Sequence, residues 1–149
     1  MGMQLIFVLE TNKKCKSDWI YIKDTIEYFY NIDANNIKFT QVYMDGKGNI
    51  KNKQKEINKN IDQYAKGASN GNSKVICCLD SDDYDINMEA IKFLNEAFKF
   101  CNDNKYELIW FCKDIERVYL RKKVVKDEKK KEAGKFKANK TIRNIDAKN

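Results

Sequence analysis

The residues best equipped for chemistry lie where an apolar run meets a patch of charge. Val75 to Leu79 leads directly into Asp80, Asp82, Asp83 and Asp85. Neighbouring carboxylates repel: at ~5 Å and an effective dielectric near 20, two like charges cost roughly 3 kcal/mol. A hard cation such as Mg²⁺ or Mn²⁺ converts that repulsion into a binding site. The same residues also suit a plain acidic turn, its aspartates capping the next helix and facing water.

Two further acids stand at comparable places. Glu10 follows the apolar stretch Met3 to Leu9, and Glu116 lies just past another, Tyr106 to Cys112. If the first and third apolar stretches are neighbouring strands, Glu10 and Asp80 project from adjacent carboxyl ends, where open α/β sheets bind ligands. Asp82, two residues on, points into the same crevice. Glu116 falls in the first turn of a helix, where the dipole favours an anion. Carboxylates converging in this way hold one or two Mg²⁺ ions, which activate water and stabilise a leaving oxygen in phosphodiester cleavage. Lys13, Lys14 and Lys113 sit beside these acids in sequence and could hold a substrate's phosphates.

Composition narrows the alternatives. The 149 residues contain no histidine, so imidazole bases and Ser-His-Asp or Cys-His catalysis are excluded. Five cysteines without C-x-x-C spacing argue against zinc. They read as reduced, mostly buried thiols of a cytoplasmic protein. No apolar run approaches the length of about 18 residues that a membrane span needs. The start, MGMQLIFVLE, reads as a strand, not as a signal peptide. Two glycine-containing loops, DGKGN and KGASNGNSK, lack the spacing of nucleotide-binding motifs and read as surface turns.

The elements that must position these acids alternate regularly. Strands are expected at Met3–Leu9, Ile37–Tyr43, around Val75–Leu79 and at Tyr106–Cys112. Helices are expected from Ser17 (as N-cap) to about Tyr30, from Lys51 to Ala68, from Ile86 to Asn102, and from Ile115 to about Arg121. Helical spacing turns Trp19, Ile22, Ile26, Phe29 and Tyr30 inward from the first, and Ile91, Leu94, Phe98 and Cys101 from the third. Four strands separated by helices on short loops predict an α/β fold of three layers, α/β/α. Its sheet is expected to be parallel and four-stranded, in the order 2-1-3-4, since only adjacency of the first and third strands brings Glu10, Asp80 and Asp82 together.

The basic charge is confined to the end of the chain. Residues 121–149 carry 12 basic and 4 acidic groups, a net of +8, while residues 1–120 carry 17 and 18. The expected division is therefore a domain over 1–122 and a basic extension over 123–149. The fourth helix could run on to Ala133, and the chain beyond Gly134 is expected to be loosely ordered. Such a tail suits phosphate backbones or an acidic partner, or it is a solubilising end and nothing more.

On these residues the chain resembles the Toprim domains, in particular the compact RloB-like and abortive-infection group of anti-phage defence. LIFVLE ends in Glu10, VICCLDSDD carries a D-x-D at Asp80 and Asp82, and LIWFCKDIERVYL is similar to that group's late strand and glutamate-bearing helix, here Glu116. The resemblance spans roughly residues 3–120. It implies a Toprim/Rossmann-like sheet, proton transfer by Glu10, and Mg²⁺ on Asp80 and Asp82 with Glu10. Glu116 joins Glu10 as a catalytic candidate. Thr11 stands where the family usually has glycine, and Lys113-Asp114-Ile115 replaces its Asn-Pro-Cys-Phe.

The expected function is Mg²⁺-dependent cleavage of nucleic acid or related phosphoryl transfer, with an ATPase as a candidate partner. Two other readings stand beside it. One is a non-catalytic Toprim-like module that binds nucleic acid or a partner protein. The other is a receiver-like domain phosphorylated on Asp80, although the chain offers one acid after the first strand where a receiver needs two.

Overall fold

The computed structural model describes residues 2–68 and 70–145. Four strands, β1 (Met3–Leu9), β2 (Ile37–Tyr43), β3 (Asn72–Asp80) and β4 (Glu107–Phe111), form one parallel sheet in the order β2-β1-β3-β4. Between them lie α1 (Ser17–Phe29), α2 (Gln54–Lys66) and α3 (Met88–Asp103), and after β4 come α4 (Ile115–Leu120) and α5 (Lys129–Ala138). The result is the expected three-layer α/β/α architecture.

Alternation along the strands divides the core. Ile6, Val8, Val75, Cys77 and Leu79 face one layer, with Ile57 of α2 and Ala97, Phe100 and Cys101 of α3. Phe7, Leu9 and Cys78 face the other, with Tyr21 and Ile22 of α1, Ile115 of α4, and Ala133 and Phe136 of α5. Each fully buried side chain of this size contributes about 1.5–3 kcal/mol. β1 connects outward to β2 on one side, while β3 and β4 continue on the other. The chain order reverses between the carboxyl ends of β1 and β3, where such sheets open a crevice.

Several expectations need correction. Ser17 does not cap α1: it is the first helical residue, fully buried, and the cap position is Lys16, in the left-handed region at φ 54° with no side-chain cap. Tyr21, unremarked in the sequence, is fully buried, whereas Tyr30 is 66% exposed. On α3 Cys101 is buried as expected and Ile91 and Leu94 are half-buried, but Phe100 is buried in place of the expected Phe98, which is exposed; the cap is Asn87, which accepts from the N–H groups of Glu89 and Ala90. The 3.6-residue period fixes a stripe only to within a neighbouring position, and packing against β4 selects between them.

The largest difference lies after residue 122. α4 stops at Leu120, where Arg121 turns left-handed (φ 57°), and it does not continue toward Ala133. The chain beyond Gly134 completes α5 and a short 3-10 turn, Thr141–Asn144. Ala133, Phe136 and Ile142 are buried in the core under α1. Phe136 meets the rings of Tyr21 and Tyr119 with centroids 5.0 and 5.5 Å apart. Residues 123–145 thus close one face of the domain. Their few apolar residues are diluted by lysines, which hides from composition a contact made by three side chains. Residues 146–149 of the expected extension lie outside the described residues.

Candidate functional site at the carboxyl edge of the sheet

Two acids are fixed by the sheet itself. β3 outruns β1, since Leu9 pairs with Cys78, so Asp80 stands just beyond the level of Glu10. The Asp80 N–H donates to Glu10 Oε2 at 2.8 Å. Asp80 Oδ1 in turn accepts from the N–H of Ile115, the first residue of α4, at 2.9 Å. Asp114 caps that helix, accepting from the Arg117 N–H at 2.8 Å. A single carboxylate therefore ties the end of β3 to the start of α4, and this places the next residue, Glu116.

Glu116 is fully buried, and neither of its carboxylate oxygens has a hydrogen-bond partner. The ammonium of Lys129, at the start of α5, lies 3.6 Å from Glu116 Oε1. The fourth acid is Asp18, 5% exposed in the first turn of α1, where Oδ2 accepts from the Thr11 N–H at 3.3 Å. Among the described residues, five buried side-chain polar atoms have no partner, and four of them belong to Thr11, Tyr21 and Glu116. Buried polar groups are nearly always paired, so this concentration marks a place suited to a ligand or water.

Electrostatics follow from that burial. Desolvation, then the charges of Glu10, Asp18 and Glu116, push Asp80 up to about 8 against the opposing Ile115 N–H. Desolvation, then Glu10 and Glu116, push Asp18 up to about 7. Burial also raises Glu116, with Lys129 opposing. Burial works against the charge of Lys129, yet Glu116, Asp80, Asp18 and Asp114 outweigh it and raise its pKa. Four acids and one ammonium thus form a single coupled centre. Groups poised near neutrality in such a place are candidates for proton transfer.

The other expected site residues lie elsewhere. Asp82 is exposed and left-handed (φ 49°), and its N–H donates to the Lys113 carbonyl at 2.7 Å. Ser81 Oγ accepts from the Lys113 N–H at 2.9 Å, so the loops after β3 and β4 are zipped together. That turn sets Asp82 into an open cleft with Asp83, Asn87, Asp114 and Arg117. Lys113 is committed to the acidic loop, with its ammonium 2.6 Å from Asp85 and 3.7 Å from Asp83. Lys13 and Lys14 are exposed on a turn held by Asn12 Oδ1 and border a shallow pocket with Tyr43, Asp45 and Lys53. Among the described residues no three acid or thiol side chains are disposed to hold one metal ion.

Sequence reasoning missed Asp18 and Lys129. Asp18 was legible as a helix-dipole partner in a first turn, but its burial against Glu10 depends on how α1 docks. Lys129 sits in a run of three lysines and carries no local signal at all. No helix among the described residues is long and apolar enough to cross a membrane. Comparison with protein-family models, curated proteins and solved structures found no match.

Proposed function

We propose that the chain is a metal-dependent phosphoryl-transfer enzyme that cleaves phosphodiester bonds in nucleic acid at the centre formed by Glu10, Asp18, Asp80 and Glu116. The observation that carries this reading is Glu116, a fully buried carboxylate without hydrogen bonds set among three other acids. A buried carboxylate held by one ion pair at 3.6 Å and by no hydrogen bond is under-satisfied, and the donor set around it is all hard oxygen, which suits Mg²⁺ or Mn²⁺. Glu10, Asp80 and Glu116 would hold the ion. When bound, it supplies Lewis acidity, lowering the pKa of water and neutralising a leaving oxygen.

The chain's own residues do the rest. The Asp80 N–H orients Glu10, and the Ile115 N–H orients Asp80. Without the ion Asp80 holds a proton near neutral pH, its pKa pushed up to about 8, and would give that proton up on ligating the metal. Asp18 keeps a proton within the cluster. Nucleic acid as substrate, a role in defence and an ATPase partner come from the Toprim resemblance and belong to the same proposal.

A second reading has its own support. Lys129 already compensates Glu116, and Asp82 faces solvent, as in a module that binds a partner and performs no chemistry. Incubation with plasmid DNA and with RNA in Mg²⁺ or Mn²⁺ separates the two. Cleavage that disappears in Asp80→Asn and Glu116→Gln supports the enzyme. Nucleic-acid binding that is unaffected by those variants, with no cleavage, supports the module.

A further inference from the structure

We infer that Lys129 is the resident cation of the acid centre, and that a divalent ion enters by displacing it. This rests on the metal reading above and assigns the site its regulation: the C-terminal helix carries a tethered counter-ion that keeps the centre closed until a metal competes for it.

The geometry of α5 supports this. Ala133 and Phe136 fix the helix against Tyr21 and Tyr119, so the position of Lys129, its first residue, is set by the core. Other lysines around α5 pair with acids at the surface: Lys122 and Lys135 with Glu132, Lys131 with Glu128. Lys129 reaches inward instead, to a carboxylate with no exposure. At 3.6 Å it compensates Glu116 by charge and leaves both carboxylate oxygens without hydrogen bonds. Those oxygens remain available to a better ligand.

The exit route is also present. The Lys129 side chain is 27% exposed while that of Glu116 is 0% exposed, so the ammonium swings to water by rotating its own stem, with α5 in place. A divalent ion and an ammonium in the same small space repel, so each excludes the other. As the acids stand, no three among the described residues surround a common point, so an entering ion must also draw them together. The departure of Lys129 takes from Glu116 the ammonium that compensates it.

The test uses the full chain and metal alone. Calorimetry with Mg²⁺ and Mn²⁺ is run on wild type, Lys129→Met and Lys129→Arg. Removing one like charge from the site is expected to tighten divalent binding about tenfold or more in Lys129→Met, with Lys129→Arg close to wild type. The metal-free melting temperature of Lys129→Met should fall and be restored by Mn²⁺. In wild type, acetylation of Lys129 by an amine-reactive ester, followed by mass spectrometry, should accelerate when Mn²⁺ is added. This arm holds even where the methionine variant fails to fold. Wild-type metal binding with unchanged or weaker binding in Lys129→Met, or with Lys129 equally protected with and without Mn²⁺, overturns the inference and leaves the metal reading standing. Absence of binding in both wild type and variant overturns both. Binding in the variant alone supports both.

Discussion

Asp80 and Asp85 are five residues apart, yet their carboxyl groups behave in opposite ways. Burial and three neighbouring acids push Asp80 up to about 8, whereas the hydrogen bond from Lys113 holds the exposed Asp85 below the ordinary carboxylate range. Each region has a lysine, but the lysines have different work. Lys113 meets Asp85 in water, where either partner is well solvated alone. Lys129 meets Glu116 inside the protein, where the carboxylate has no solvent to fall back on. The identity of a charged residue therefore says little about its energetic role. Access to water decides it.

The largest effect should come from removing what carries Lys129 to the centre. Phe136→Ala is expected to lower stability by about 3–5 kcal/mol in chemical denaturation, as for other buried phenylalanines. Truncation after Lys122 should prevent folding. A loss below about 1 kcal/mol would show that α5 does not close the core.

Next in size is the pH dependence of the metal-free protein. Asp18 and Asp80 have folded-state pKa values of about 7 and about 8, raised from 3.8. Between those limits the folded chain holds protons that the unfolded chain has released, so stability is greatest in acid and falls as pH rises. Each group contributes up to ~1.4 kcal/mol per pH unit, so the two together give a fall of about 4 kcal/mol between about pH 5 and pH 6.5. Denaturation curves across that range measure it. A flat or rising profile would mean the acids are not buried together.

Asp80→Asn isolates one member of the centre. Asparagine keeps the acceptor for the Ile115 N–H and removes a charge, so the metal-free protein should gain about 1–3 kcal/mol at pH 8. The rise in melting temperature on adding Mg²⁺ or Mn²⁺ should disappear in the same variant. An equal rise in variant and wild type would place the ions elsewhere.

The smallest effect is expected at the exposed loop. Lys113→Met and Asp85→Asn should leave the melting temperature within experimental scatter, because exposed ion pairs contribute little and are screened by salt. A loss comparable to that of Phe136→Ala would erase the contrast between the two regions.

The sequence by itself determined the frame. The spans Met3–Leu9 and Ile37–Tyr43 were legible because an apolar run bounded by polar residues forms a strand almost regardless of context. The order 2-1-3-4 was expected because only adjacency of the first and third strands lets Glu10 and Asp80 meet, and that order and that meeting are what is found. Tertiary structure decided which charges share that edge with them. A left-handed residue after β3 and the zipped loop to Lys113 turned Asp82 out to water. The docking of α1 and α5 brought in Asp18 and Lys129, which local pattern could not distinguish from any solvated acid or lysine. Periodicity and spacing act over a few residues, whereas the solvation of a charge depends on everything packed around it. In this chain those surroundings come from segments more than a hundred residues apart in sequence, Asp18 in α1 and Lys129 in α5.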